Sequence, residues 1–106
     1  MKKTTISVKQ AEQLEQAISN CIARPNPHTE SALMDILSEL GVPDDVETTI
    51  IFTVYDVRDD VAALKEGNID RDLITDIVEN LKYLDGYLGK AFAIDGGRYA
   101  FRTWST

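Results

Sequence analysis

The residues of this chain best spaced for chemistry are carboxylate pairs one helical turn apart: Glu12 with Glu15, Asp56 with Asp59 or Asp60, and Asp76 with Glu79. Carboxylates three or four positions apart share one face of a helix, where they can hold a hard divalent cation from one side. A metal centre also needs inward-turned ligands supported by a second layer of hydrogen bonds. Asp56, Asp59 and Asp60 instead flank an apolar stripe of Val54, Val57 and Val61 and can reach water. The spacing reads as a solvated helix face, and neither a metal nor a cofactor is expected.

The pairing superficially resembles that of the all-α nucleoside triphosphate pyrophosphohydrolases, whose E-x-x-E and E-x-x-D pairs bind magnesium inside a bundle. Here the interval from Glu12-x-x-Glu15 to Asp56-x-x-Asp59 is longer than in that pattern, and the second pair is not E-x-x-D. A metal-dependent nucleotide hydrolase is therefore the alternative reading, not the first. Other catalytic signals are weaker. The single histidine, His28, falls in a proline-rich loop with no nucleophile beside it, so a hydrolytic triad is not indicated. Cys21 lies on an apolar stripe, where a thiol behaves as a small hydrophobe. The glycines of IDGGRYAF lack the spacing of a phosphate loop. In GNIDRDLITDIVE the fifth and sixth positions of a calcium loop would be Ile74 and Thr75, where an oxygen ligand and a glycine are needed.

Recognition of a partner surface remains, and the charge distribution gives it a direction. The chain has 106 residues and a net charge of −7. Residues 30 to 85 hold fifteen acids against four cations, a balance of −11, while the flanking stretches 1 to 27 and 86 to 106 are each at +2. An acidic middle repels phosphate backbones, so direct nucleic-acid binding is not expected. The same charge can imitate a phosphate lattice and occupy a basic groove on another protein. Asp56, Asp59, Asp60, Asp72, Asp76 and Glu79 are the candidates on that face. A second candidate surface follows from the C-terminal run AFAIDGGRYAFRTWST, where Arg98 and Arg102 alternate with Tyr99, Phe101 and Trp104. Arg98, Tyr99, Arg102 and Trp104 are of the types that dominate interface hot spots.

These residues must be positioned by helices. Ser7 and Gln10 have capping-box spacing, and the stripe Val8, Ala11, Leu14, Ile18, Cys21 and Ile22 predicts a helix over about 7–24, before Pro25 and Pro27. Asn26 or Thr29 can cap a second helix, about 29–40, closed by Gly41. Seven of the ten residues from Thr48 to Val57 are β-branched, which suits a strand. Asp44 and Glu47 at capping-box spacing, and a rhythm from Val46 through Ile50, Val54, Val57 and Val61 to Leu64, favour a helix over about 44–66 instead. Asp70 starts a fourth helix, about 70–88, with Ile69 and Ile74 placed as a hydrophobic staple and with Gly86 and Gly89 weakening its end. Phe92 and Ile94 before Asp95-Gly96-Gly97, and Tyr99 and Phe101 after it, predict a hairpin over about 91–104. That hairpin must pack on the bundle, pair with the N-terminal TTISV or be completed by a partner.

The expected architecture is a single mainly α domain, 1–106, a four-helix bundle-like fold with a short C-terminal β-hairpin. With one cysteine, no apolar leader and no run of membrane-spanning length, the chain reads as cytoplasmic. The functional expectation is a small acidic protein-binding factor and not an enzyme. It would inhibit or neutralise a partner with a basic groove, in the manner of antitoxin, immunity or phage-counterdefence proteins. The heptad-like spacing of the third helix also allows a homo-oligomeric structural protein, possible as a homodimer.

Overall fold

The structure, a computed structural model, describes residues 3–95. In chain order these form β1 (Thr4–Ile6), α1 (Val8–Ala23), α2 (Pro27–Leu40), α3 (Asp44–Lys65), α4 (Arg71–Ala91) and β2 (Phe92–Ile94). The fold is mainly α, four helices with a minor β element. β1 and β2 pair in parallel, Thr4 opposite Phe92 and Ile6 opposite Ile94. Parallel strands require a long crossover, and here all four helices supply it. β2 is the first arm of the expected hairpin; the remainder, from Gly96 onward, lies outside the described residues.

Local chemistry sets most boundaries. Ser7 and Gln10 close their capping box, the Ser7 hydroxyl accepting from the Gln10 N–H at 3.1 Å and the Gln10 amide oxygen accepting from the Ser7 N–H at 2.9 Å. Asn26 and Thr29 do the same for α2, so that helix begins at Pro27 and not at Thr29. Proline suits the first helical position because its missing N–H would have had no intrahelical partner. α3 departs from expectation at its start. Pro43 occupies the cap and no side chain caps the helix, so Asp44 and Glu47 form no capping box. Burial of Val42 in the core fixes how the chain enters this helix. Asp44, Asp45 and Glu47 then sit in the first turn, where they favour the positive end of the dipole.

The β-branched stretch of α3 is helical throughout. Two of its threonines satisfy their hydroxyls on the helix itself, Thr49 donating to the Asp45 carbonyl at 2.9 Å and Thr53 to the Thr49 carbonyl at 2.8 Å. α3 ends in a Schellman arrangement: Gly67 at φ 96° donates to the Leu64 carbonyl, and Asn68 to that of Ala63. Asp70 caps α4 as expected, accepting from the Asp72 N–H at 3.0 Å. The staple does not close, since Ile69 is 79% exposed and Ile74 is also exposed. α4 continues past Gly86 and Gly89 to Ala91 because Leu84 and Leu88, in its last turns, are fully buried. That burial outweighs the roughly 1 kcal/mol cost of each glycine in a helix interior.

The core joins Ile6 and Phe92 of the strands to Leu14 and Ile18 of α1, Leu33 and Leu37 of α2, Ile50 and Val54 of α3, and Leu84 and Leu88 of α4. α4 packs chiefly on α3, and α3 also packs on α1 and α2. Burial in the α3/α4 pair is uneven. Val61, Leu64, Leu73, Ile77 and Leu81 continue the apolar stripes toward the connecting loop but are only half-buried. No helix among the described residues is long and apolar enough to cross a membrane.

Candidate functional site

α3 and α4 follow one another in the chain and pack on each other more extensively than any other pair of elements. On α3, Asp45, Thr49, Thr53, Asp56 and Asp60 recur at steps of four and three, the spacing that keeps residues in one row along a helix. Asp76, Asn80, Tyr83 and Tyr87 form the matching row on α4. The rows meet at both ends. Near the start of α3, Asp45, Val46 and Thr49 face Tyr87, Lys90 and Ala91 across a cavity of about 230 Å³. Toward the other end Asp60 lies within electrostatic reach of Asp76.

The acids near Asp60 act on one another. Burial pushes the Asp60 carboxyl above its usual range, and Asp76, Asp56 and Asp59 push it further in the same direction. Three of the sequence candidates on α3 and one on α4 are thus brought together. Asp59 divides its role: it is 67% exposed and accepts from Arg58 Nε at 3.0 Å. Asp72 and Glu79 are exposed on α4, one turn to either side of Asp76. Asp56, Asp60 and Asp76 form no ion pair with a described residue. Among the described residues no group of three or more His, Cys, Asp or Glu side chains is placed to hold a metal ion.

A second cluster, not anticipated from sequence, ties α3 to α1 and α2. Arg58 Nη1 donates to Glu30 at 2.6 Å, and its guanidinium stacks over the Tyr55 ring 4.1 Å from the centroid. Burial, then Glu30, pushes the Tyr55 hydroxyl up, with Arg58 partly opposing. The fully buried Cys21 thiol is adjacent in charge terms and is pushed up mainly by burial. Lys65 donates to the Ala23 carbonyl at 2.7 Å, closing the C-terminal end of α1. These contacts are structural: the guanidinium joins α3 to α2 through Glu30 and holds Asp59, and burial keeps the Cys21 thiol protonated. Glu30 to Arg58, twenty-eight positions apart, carries no short-range signal in the sequence.

His28 lies in α2 and lines a mixed groove between α1 and α2 with Gln13, Gln16, Asn20, Ile36 and Glu39, away from Asp56, Asp60 and Asp76. Gln16 donates to the Asn20 side-chain oxygen at 3.0 Å, so part of that polarity is internally satisfied. The cavity at Thr49 and Tyr87 was also unforeseen, although both residues fall in the same helical rows as Asp56, Asp60 and Asp76. Arg98, Tyr99, Arg102 and Trp104 lie outside the described residues. No protein-family model, curated protein or solved structure matches this chain.

Proposed function

We propose that this is a small protein-binding factor that uses the acidic α3/α4 surface to engage, and thereby inhibit or neutralise, a partner with a basic surface. The observation that carries the reading is that Asp56 of α3 and Asp76 of α4 both lie within electrostatic reach of the Asp60 carboxyl, with no ion pair from any of the three to a described cation. Like charges held together in a fold cost stability, and a cationic partner removes that cost on binding. Carboxylates at helical spacing along a surface also present negative charge as a lattice, which matches the basic surface of a nucleic-acid-binding protein.

The test is capture from a lysate of the cells that encode the chain, with immobilised wild type beside an Asp56→Lys/Asp60→Lys/Asp76→Lys variant. The expected result is a basic protein retained by the wild type at low salt, released as ionic strength rises, and not retained by the variant. Retention that survives both high salt and charge reversal would show that these acids are not the binding surface.

A further inference from the structure

We propose that the cavity between the first turns of α3 and the last turns of α4 binds a free aliphatic α-amino acid, with its ammonium on Asp45, its carboxylate on Lys90 and its side chain against Val46, Tyr87 and Ala91. The site is separate from the acids around Asp60 and does not depend on the protein-binding role proposed above.

The wall of the cavity is apolar because of what lies behind it. Val46, Tyr87 and Ala91 are half-buried and pack against the core, so each turns part of its apolar surface inward and leaves part to the cavity. Thr49 completes the wall, and its hydroxyl already donates to the Asp45 carbonyl at 2.9 Å, which leaves it no proton to offer a ligand. Two charged residues also line the cavity. Asp45 comes from α3 and Lys90 from α4, and neither forms an ion pair with the other or with any described residue. Each sign suits the helix end it occupies, an acid in the first turn of α3 and a base in the last turn of α4. That accounts for each charge alone. An acid and a base held on facing helices without closing on each other, over an apolar wall, are together complementary to a molecule that carries both charges and an apolar body. Both side chains are exposed, so pairing them with a ligand removes little hydration.

Size narrows the class. At about 230 Å³ the cavity is smaller than the roughly 300–1,000 Å³ of pockets that enclose drug-sized ligands. Water takes about 30 Å³ per molecule in the liquid, so the space holds about eight groups of that size, which is the size of valine or leucine. A nucleotide or a partner helix exceeds it. A plain fatty acid or an alkylamine fits the wall but leaves Asp45 or Lys90 unmatched.

Calorimetric titration and thermal unfolding of the full chain with leucine test the site. The expected result is saturable binding in the millimolar range or tighter, and a melting temperature that rises with leucine concentration. N-acetylleucine lacks the ammonium, leucinamide the carboxylate and glycine the apolar body, and each should bind about tenfold more weakly or worse. Asp45→Asn should weaken leucine but not N-acetylleucine, and Lys90→Met should weaken leucine but not leucinamide. Thr49→Trp, at an exposed position, should fill the cavity and abolish binding. Asp56→Asn/Asp60→Asn should bind leucine as wild type does. Absence of saturable binding of leucine, isoleucine and valine to wild type overturns the inference, as does leucine binding unchanged in Thr49→Trp. Equal binding of leucine, N-acetylleucine and leucinamide overturns the pairing with Asp45 and Lys90, and loss of leucine binding in Asp56→Asn/Asp60→Asn overturns the assignment to this cavity. The lysate capture decides the protein-binding reading separately.

Discussion

At the scale of single residues, Asp60 and Arg58 illustrate opposite uses of charge two positions apart. A carboxyl whose pKa in the fold exceeds its unfolded value binds its proton more readily when folded. Asp60 therefore favours folding at low pH, and this contribution is lost as pH rises through its folded pKa. Asp60→Asn should raise the melting temperature at neutral pH, with the difference from wild type closing as pH falls toward the ordinary Asp value of 3.8. Thermal unfolding across that range checks it; a neutral-pH loss of stability would mean that Asp60 makes a favourable contact. Arg58 is satisfied on three sides by Glu30, Asp59 and Tyr55. Arg58→Ala should destabilise by about 1–3 kcal/mol, as expected for partly buried hydrogen bonds to charge. A double-mutant cycle with Glu30→Ala should show coupling of about 1 kcal/mol that weakens in salt. Arg58→Lys should not restore it, because an ammonium cannot stack on Tyr55 and fork to two carboxylates together.

At the scale of elements, helix existence was largely legible from periodicity, whereas the tightness of each stripe was not. Leu73, Ile77, Leu81, Leu84 and Leu88 form one continuous pattern, yet only Leu84 and Leu88 are fully buried. Leu84→Ala should cost about 2–5 kcal/mol, and Leu73→Ala clearly less, when measured by denaturant unfolding. Equal costs would show that the loop end of the α3/α4 pair is as well packed as the strand end. Gly86 and Gly89 lie inside α4 with nothing within 4 Å of an added Cβ. Gly86→Ala should therefore stabilise by about 0.5–1 kcal/mol through helix propensity and a less entropic unfolded chain. Capping was read correctly at Ser7 and Asp70; for α2 the sequence left Asn26 and Thr29 open with a start near 29, and the structure takes Asn26 and starts the helix at Pro27. It failed at Asp44, because spacing alone does not reveal that the chain enters α3 one residue earlier, at Pro43.

At the scale of the whole molecule, a balance of −11 over residues 30 to 85 is spread mainly over α2, α3 and α4. Self-repulsion of that size is felt most when the Debye length is long, about 30 Å at 0.01 M salt against about 10 Å at 0.1 M. Raising sodium chloride across that interval should increase the melting temperature of wild type, and by less for Asp56→Lys/Asp60→Lys. A fall with salt would show that attractive pairs such as Glu30 with Arg58 dominate the electrostatics. The Asp56→Lys/Asp60→Lys/Asp76→Lys variant of the capture experiment should likewise be at least as stable as wild type, so its loss of partner binding would not come from unfolding.

The sequence by itself determined the helices, their apolar stripes and the caps of α1 and α4, because these depend on side chains within a few positions of one another. It also placed Asp56, Asp59 and Asp60 on a solvent-reaching face of α3. Tertiary structure alone decided that Asp76 comes within electrostatic reach of Asp60, that Thr49 and Tyr87 line a common cavity, that Glu30 reaches Arg58, and that β2 pairs with β1 in parallel. Periodicity fixes the direction a side chain takes around its own helix axis. Which residues stand level on neighbouring helices depends on how the two slide and rotate against each other, and that is set by the summed fit of the whole core.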